Sequence, residues 1–261
     1  MVLSYAYCNV SVMPVYKEPF HRAEQVNQLI FGEKAEILEV NERDWARIRS
    51  ELDGYEGWSK IGQMAIITRR EYKKTPKALA AAHTDKLIFE NSELWMPMGS
   101  DLFGFKGGKI NVIGNTGKYK GKKLKVADLT LNAENLVQAA MKYTNAPYQW
   151  GGRTIAGIDC SGLVQMAFKM CGTTVPRDAD QQAKEGEGVD FLQHAQRGDL
   201  AFFDNADGKI VHVGILLDHD TIIHATDASG RVVIDRIDQG GIISVSLKKR
   251  THNLRFIKRL F

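Results

Sequence analysis

The spacing of apolar positions changes character along the chain, and each change marks a different kind of element. Over residues 1–66 short runs alternate apolar with polar side chains: Val10-Ser11-Val12-Met13-Pro14-Val15, Ala35-Glu36-Ile37-Leu38-Glu39-Val40 and Trp45-Ala46-Arg47-Ile48. Period-two patterning of this kind predicts half-buried strands, and the turn-prone pairs Gly32-Glu33 and Asp53-Gly54 separate them. Residues 21–29 read as more helical. The segment closes on Gly54-Tyr55-Glu56-Gly57-Trp58, a turn feeding an aromatic strand. Residues 69–76 are polar and basic, as a linker would be. A second β-type stretch then runs to about Leu129. Its strand candidates are Leu87-Ile88-Phe89, Leu102-Phe103-Gly104-Phe105 and Ile110-Asn111-Val112-Ile113. The two stretches share length and texture, which predicts two copies of one small-barrel design.

From Leu131 the period lengthens. Leu136, Val137, Ala140 and Met141 mark an amphipathic helix that ends before Asn145-Ala146-Pro147. A second helical run, Leu163 to Met170, stops at Cys171-Gly172, with glycine where helices commonly end. Strand patterns follow at Leu200-Ala201-Phe202-Phe203, Ile210 to Leu217, Thr221 to Ala225 and Val232-Val233-Ile234. Helices first and an antiparallel sheet afterwards predict an α+β domain. The expected division is 1–68, 69–130 and 131–261.

Composition narrows the class without choosing a function. The chain has 261 residues, 44% hydrophobic and 25% charged, which is ordinary for a globular protein. A net charge of +4, with 31 acids against 35 bases, is far from a nucleic-acid footprint. The lysine run Lys118, Lys120, Lys122, Lys123 and Lys125 reads first as a solvated hairpin face. No apolar run has the length of a membrane span. Residues 1–8 lack the basic region and apolar core of a secretory leader. Three cysteines cannot all pair. Cys160 and Cys171, on one helix, would stand on the order of 16 Å apart, beyond disulfide reach. Free thiols suit a reducing compartment, so a cytoplasmic protein is expected, or a periplasmic or secreted one if a leader has been removed. A monomer is expected.

The chemistry concentrates at Cys160. Tyr148-Gln149-Trp150-Gly151-Gly152 and Gly157-Ile158-Asp159 form a glycine-loosened approach to the helix that begins there. In that first turn, unpaired N–H groups and the helix dipole favour a thiolate. A cysteine nucleophile needs a base and a group to orient the base. His212 lies in a strand whose opposite face carries Val211, Val213 and Ile215. Folding the next strand back about Asp218 sets His224 directly across from it. The resting pair is expected to be thiolate and imidazolium, with His224 orienting His212. Tyr148 and the Cys160 N–H would hold the oxyanion. A cysteine at a helix start and a histidine in a strand are each common as structural residues, so the assignment depends on their meeting. A zinc site from Cys160, His212 and His224 lacks paired ligand spacing and a clear further ligand. No metal or organic cofactor is expected.

Six pieces of residues 131–257, in order, resemble the NlpC/P60 family of papain-like cysteine peptidases. They are Pro147 to Gly152, Asp159-Cys160-Ser161-Gly162-Leu163-Val164, Val175-Pro176-Arg177-Asp178, Arg197-Gly198-Asp199-Leu200, His212-Val213-Gly214-Ile215 and Ile223-His224-Ala225. The resemblance implies a catalytic triad of Cys160, His212 and His224, the set reached from the hairpin. The first half resembles the bacterial SH3-type barrels that precede this domain in the γ-D-glutamyl-L-diamino acid endopeptidases. The implied fold is α+β, a papain-like catalytic domain preceded by two small SH3-like β-barrels, the first walling the substrate pocket.

The implied activity is hydrolysis of the γ-D-glutamyl–diaminopimelate amide in wall peptides with a free N-terminal L-alanine, in muropeptide recycling. Within the implied substrate set, Tyr55 belongs to the barrel segment, Asp178 receives the ammonium and Ser161 lines the same pocket. Glu24, Asp159 and Arg177 are further candidate contacts, and Ala179 stands where relatives often carry a hydroxyl. The partner expected is a peptide such as L-Ala-γ-D-Glu-meso-diaminopimelate. Two alternatives stand beside this: an endopeptidase on intact peptidoglycan with wall-binding SH3-like modules, and a non-catalytic wall-binding protein.

Overall fold

Seven strands occupy the start of the chain: β1 (Ser4–Cys8), β2 (Val12–Tyr16), β3 (Gln25–Ile30), β4 (Lys34–Val40), β5 (Trp45–Ser50), β6 (Glu56–Lys60) and β7 (Met64–Ile67), of which β2, β4, β5 and β6 lie where the sequence pattern places them. Their order in the sheet is β3-β2-β6-β5-β4-β1-β7. Met13, Val15, Leu29, Ile37, Ala46, Ile48 and Met64 converge on one core. The helical reading of residues 21–29 does not hold. Residues 25–30 pair antiparallel with β2, so tertiary pairing overrides a local pattern compatible with either state.

A computed structural model describes residues 1–261, which divide into two units, Met1–Leu129 and Thr130–Phe261. The remainder of the first unit begins with a one-turn helix, α1 (Arg69–Tyr72), closed by a capping box between Thr68 and Glu71. Six short strands follow: β8 (Ala78–Ala80), β9 (Lys86–Ile88), β10 (Glu93–Trp95), β11 (Lys109–Val112), β12 (Asn115–Lys120) and β13 (Lys123–Lys125). They make a four-stranded sheet, β10-β9-β12-β11, and a separate ladder of β13 with β8. The expected strand at Leu102 to Phe105 is a turn, with Gly104 at φ +72°.

The expectation of two small SH3-like barrels is therefore corrected. One SH3-like sheet is present, and its order leaves β3 and β7 as unjoined edges. The stretch after it is no second copy. Its apolar side chains, Leu87, Met96, Leu102 and Ile110, complete their core with Tyr7 of β1 and Phe31 in the turn after β3. Similar texture concealed this because alternation reports which face is buried and not what buries it.

The second unit opens on α2 (Ala133–Met141), N-capped by Asn132, whose side chain accepts from the Asn135 N–H at 2.9 Å. A minimal hairpin, β14 (Arg153–Thr154) with β15 (Gly157–Ile158), leads into α3 (Cys160–Met170). All eleven residues of α3 are buried. It ends where predicted, with Gly172 at φ +80° and the Thr173 N–H bonded to the Phe168 carbonyl. After the single turn α4 (Ala179–Gln182) come β16 (Glu187–Val189), β17 (Leu200–Asp204), β18 (Ile210–Leu216), β19 (Thr221–Thr226), β20 (Arg231–Asp238), β21 (Gly241–Ser244) and β22 (Lys249–Arg259).

Their order is β16-β22-β17-β18-β19-β20-β21, and β22 pairs with β21 as well. The sheet thus closes on itself, and this is the one closed barrel in the chain. Ala201, Phe203, Leu216, Ile222, Ile237, Ile242 and Ile257 form its core. No helix is long and apolar enough to cross a membrane.

Phe31 is fully buried in the core that the two sheets of the first unit share. Phe31→Ala is expected to cost about 3–5 kcal/mol, the usual loss for a core phenylalanine. Hydrogen exchange is expected to show residues 78–125 losing protection together with the first sheet. Loss confined to either sheet would contradict a shared core.

Candidate active site

Asp159 organises the start of α3. Its Oδ1 accepts the Gly162 N–H at 2.7 Å, capping the helix whose first residue is Cys160. Its Oδ2 accepts the Gly151 N–H at 2.8 Å and so pins the glycine loop beside the cysteine. Arg177 closes the arrangement as a bidentate pair, Nη1 to Oδ1 at 3.0 Å and Nη2 to Oδ2 at 2.6 Å. Arg177 is 1% exposed and Asp159 3%, so neither charge is solvated and each depends on the other. Gly162 is required by space, since a Cβ there would stand 2.3 Å from the Gly152 carbonyl oxygen. Loop and helix meet backbone to backbone.

The histidines come together by a route different from the predicted one. Ile215 pairs with Ile223 and Leu216 with Ile222, which centres the hairpin on His219 rather than Asp218. Carried back, that register sets Gly214 across from His224 and His212 diagonal to it. The side chains still meet: His212 Nε2 and His224 Nδ1 are 2.8 Å apart, with the rings edge to face. Gly214 makes this feasible, because a Cβ there would come within 3.0 Å of His224 Cβ. Beyond His224, Asp235 Oδ2 lies 3.2 Å from Nε2. His252 stacks on His212, with centroids 4.0 Å apart and planes 20° apart.

Burial sets the charge states. The Cys160 thiol is pushed up to about 12, first by desolvation and then by Asp159; N–H donors from Val213 and Ser161 and the charge of Arg177 act against this without offsetting it. His212 is held well below its ordinary 6.5, by desolvation first and then by His224 and His252. His252 falls to about 4 for the same leading reason. Both shifts oppose the expected thiolate and imidazolium pair, because burial disfavours the charged form of each partner. A helix start favours the thiolate less than full burial disfavours it.

His212, His224 and His252 gather their ligand-type nitrogens within 4.8 Å of one another. The 2.8 Å between His212 and His224 is a hydrogen-bond separation. Two nitrogens on one tetrahedral zinc, each about 2.0 Å from the metal, stand roughly 3.3 Å apart. The pair is built to share a proton.

The other predicted residues are placed as follows. Tyr148 is half-buried, held by its N–H to the Gly230 carbonyl, and its hydroxyl is raised by burial and by the charge Cys160 would carry. Ser161 Oγ accepts from Arg177 Nη1 at 2.8 Å. Asp178 precedes α4, and its negative charge helps hold Arg177 protonated. Tyr55 follows an Asp53 turn, its N–H bonded to Asp53 Oδ1 at 3.0 Å. Glu24 is exposed and 3.7 Å from Lys17 Nζ.

The sequence reading did not single out Asp235 or give His252 a role. The one local signal for Asp235 is a reversed alternation on β20, where Ile234 is 38% exposed and Asp235 3%. Nothing local marks His252, which reaches the site through the closure of the sheet.

Residues 145–251 match the NlpC/P60 family, and residues 15–60 match the bacterial dipeptidyl-peptidase Sh3 domain. Dipeptidyl-peptidase 6 of Lysinibacillus sphaericus is 28% identical across 86% of this chain and 89% of its own. The γ-D-glutamyl-L-lysine dipeptidyl-peptidase of Bacillus subtilis is 30% identical across 76% of this chain and 71% of its own. The crystal structure of an NlpC/P60 family protein from Bacillus cereus superposes with a TM-score of 0.81, covering 98% of this chain and 99% of that one; at 20% identity the likeness is one of fold. The chain belongs to the NlpC/P60 family of cysteine peptidases and carries an SH3-type domain in its first unit.

Removing Arg177 would leave the Asp159 carboxylate buried without its counter-charge. Arg177→Ala is expected to cost about 3–5 kcal/mol in denaturant unfolding, the usual penalty for stripping one partner from a buried ion pair. A loss under about 1 kcal/mol, typical of surface pairs, would show that this pair does not hold the helix start.

Proposed function

We propose that this chain hydrolyses an amide in peptidoglycan-derived peptides, with Cys160 as nucleophile and His212 as its base. The observation that carries the reading is the buried His212–His224 hydrogen bond beside the helix start that bears Cys160. As Cys160 Sγ attacks the carbonyl carbon, its proton passes to the free ring nitrogen of His212. The oxyanion is held by the Cys160 N–H and the Tyr148 hydroxyl. Collapse breaks the C–N bond, and the amine leaves with the proton from His212. Water then adds to the thioester, giving its proton to His212, and Cys160 recovers its own as the acid departs.

The bond we propose is the γ-D-glutamyl–L-diamino acid amide, with diaminopimelate as the diamino acid and a free amine on the N-terminal L-alanine. Support comes from the name of the Bacillus subtilis relative and from the matched segment 15–60. In this reading Asp178 faces the ammonium, and Tyr55, Ser161 and Glu24 belong to substrate recognition. Asp159 and Arg177 act by holding the helix start. A carboxylate lining such a pocket would reject an acylated amine, because its charge would be left unpaired. A second reading, an endopeptidase on intact peptidoglycan, is favoured by the exposed lysines 118, 120, 122, 123 and 125, which form no ion pair and would attract an anionic polymer.

The test is turnover of L-Ala-γ-D-Glu-meso-diaminopimelate, its N-acetylated form and purified sacculi. Cleavage of the free tripeptide with its acetylated form at least about 100-fold slower is expected, on the usual cost of an unpaired buried charge. Equal cleavage would remove the free-amine requirement, and preference for sacculi would establish the second reading. Cys160→Ala is expected to lower kcat on the order of 10⁴-fold or more; unchanged turnover would end the mechanism.

The pH profile follows from the depressed His212. A base must be neutral to accept a proton, and this one stays neutral below pH 6.5. kcat/KM is therefore expected to hold from pH 7 to below 6.5 and to fall only as pH drops through the depressed value. An acid limb at or above pH 6.5 would contradict it.

A further inference from the structure

His224 is engaged at both ring nitrogens, Nδ1 with His212 Nε2 at 2.8 Å and Nε2 with Asp235 Oδ2 at 3.2 Å. An ionised carboxylate accepts hydrogen bonds and donates none, so the proton of neutral His224 must sit on Nε2. Its Nδ1 is then bare and can only accept, which requires the proton of His212 on its own Nε2. His212 is left with its lone pair on Nδ1. The opposite order would aim the bare Nε2 of His224 at the carboxylate.

We infer that Asp235 is a positioning residue for the reaction: its carboxylate sets the tautomer of His224, and through it that of His212, so that the base presents Nδ1. The inference rests on the proposed roles of Cys160 and His212.

The surroundings of Asp235 fit this task. Its Oδ1 accepts the Val245 N–H at 2.8 Å, which leaves Oδ2 for His224. Burial raises its pKa, but the hydrogen bonds from His224 and Val245 outweigh that and hold it below the usual carboxylate range. It is 3% exposed and occupies an inward position on β20 while Ile234 beside it is turned outward. Burying a carboxylate in place of an isoleucine makes no sense for packing alone. The His212 ring at the end of the relay is itself held, since His252 stacks on it and the Phe203 ring centroid lies 5.6 Å from its own.

Asp235→Asn tests the direction of the relay. The amide oxygen would keep the Val245 N–H and turn its NH₂ toward His224 Nε2, reversing both tautomers and placing the His212 proton on Nδ1. Peptide turnover is expected to fall 10²–10⁴-fold in kcat, the scale known for a wrong-tautomer base, with KM changed less than about threefold. ¹⁵N NMR of histidine-labelled protein at pH 8 reads the tautomers directly, with His224→Asn to assign the signal. In the wild type both His212 and His224 are expected to carry the proton on Nε2, and in Asp235→Asn on Nδ1.

A wild-type His224 protonated on Nδ1 would overturn the inference even if the variant failed to fold. Unmoved tautomers or unchanged kcat in a folded Asp235→Asn would overturn it as well. Tautomers that follow Asp235 in a protein that cleaves no peptidoglycan peptide would uphold the relay while sinking the proposed function. Unchanged kcat on a peptide the wild type does cleave would do the reverse.

Discussion

One buried carboxylate, Asp159, carries most of the local order around the nucleophile candidate. It caps α3, fixes the glycine loop through Gly151 and receives both arms of the Arg177 guanidinium. The N–H groups of a helix start are useful to chemistry only if the start stays where it is. A bidentate ion pair with almost no exposed surface is rigid, because each partner's alternatives leave a bare charge out of water. Cys160 follows Asp159 directly in sequence, so the sulfur inherits that rigidity. The cost is electrostatic: the same carboxylate raises the thiol, and Arg177 only partly counters it.

Burial then decides how the chemistry has to run. Burial raises the Cys160 thiol and lowers the His212 imidazole, so both shifts work against a stored ion pair. Such shifts favour proton transfer in step with attack, which puts weight on the base presenting the correct nitrogen when the substrate arrives. This gives the closed sheet of the second unit its importance. Because β22 pairs with β17, β16 and β21, strands distant in sequence bring His212, His224, Asp235 and His252 to one place. Burial keeps His212 and His252 from ionising easily, and Asp235 stands behind His224 at the far end of the hydrogen-bonded row.

Much of this was legible in the sequence, and the failures have physical reasons. Helix α3, its stop at Gly172 and the strands bearing His212 and His224 follow from periodicity and end signals that act locally. The hairpin register missed by one residue because the turn residues Asp218 to Asp220 admit more than one loop. The histidines still met, since Gly214 leaves the diagonal open. The second barrel was misread because the core under Leu87 and Ile110 is completed by Phe31, a partner that alternation does not encode. The Asp159–Arg177 pair and the place of His252 depend on tertiary closure, with no local spacing to announce either.

The central claim is that Cys160 forms a covalent bond to the acyl half of a peptide. Acid quenching of the enzyme with L-Ala-γ-D-Glu-meso-diaminopimelate on the millisecond scale, followed by intact mass and peptide mapping, reads this directly. The expected result is a transient thioester of L-Ala-D-Glu on the peptide containing Cys160, absent from Cys8 and Cys171. Turnover without any adduct under quench times that resolve a burst, or an adduct on another residue, would contradict the account.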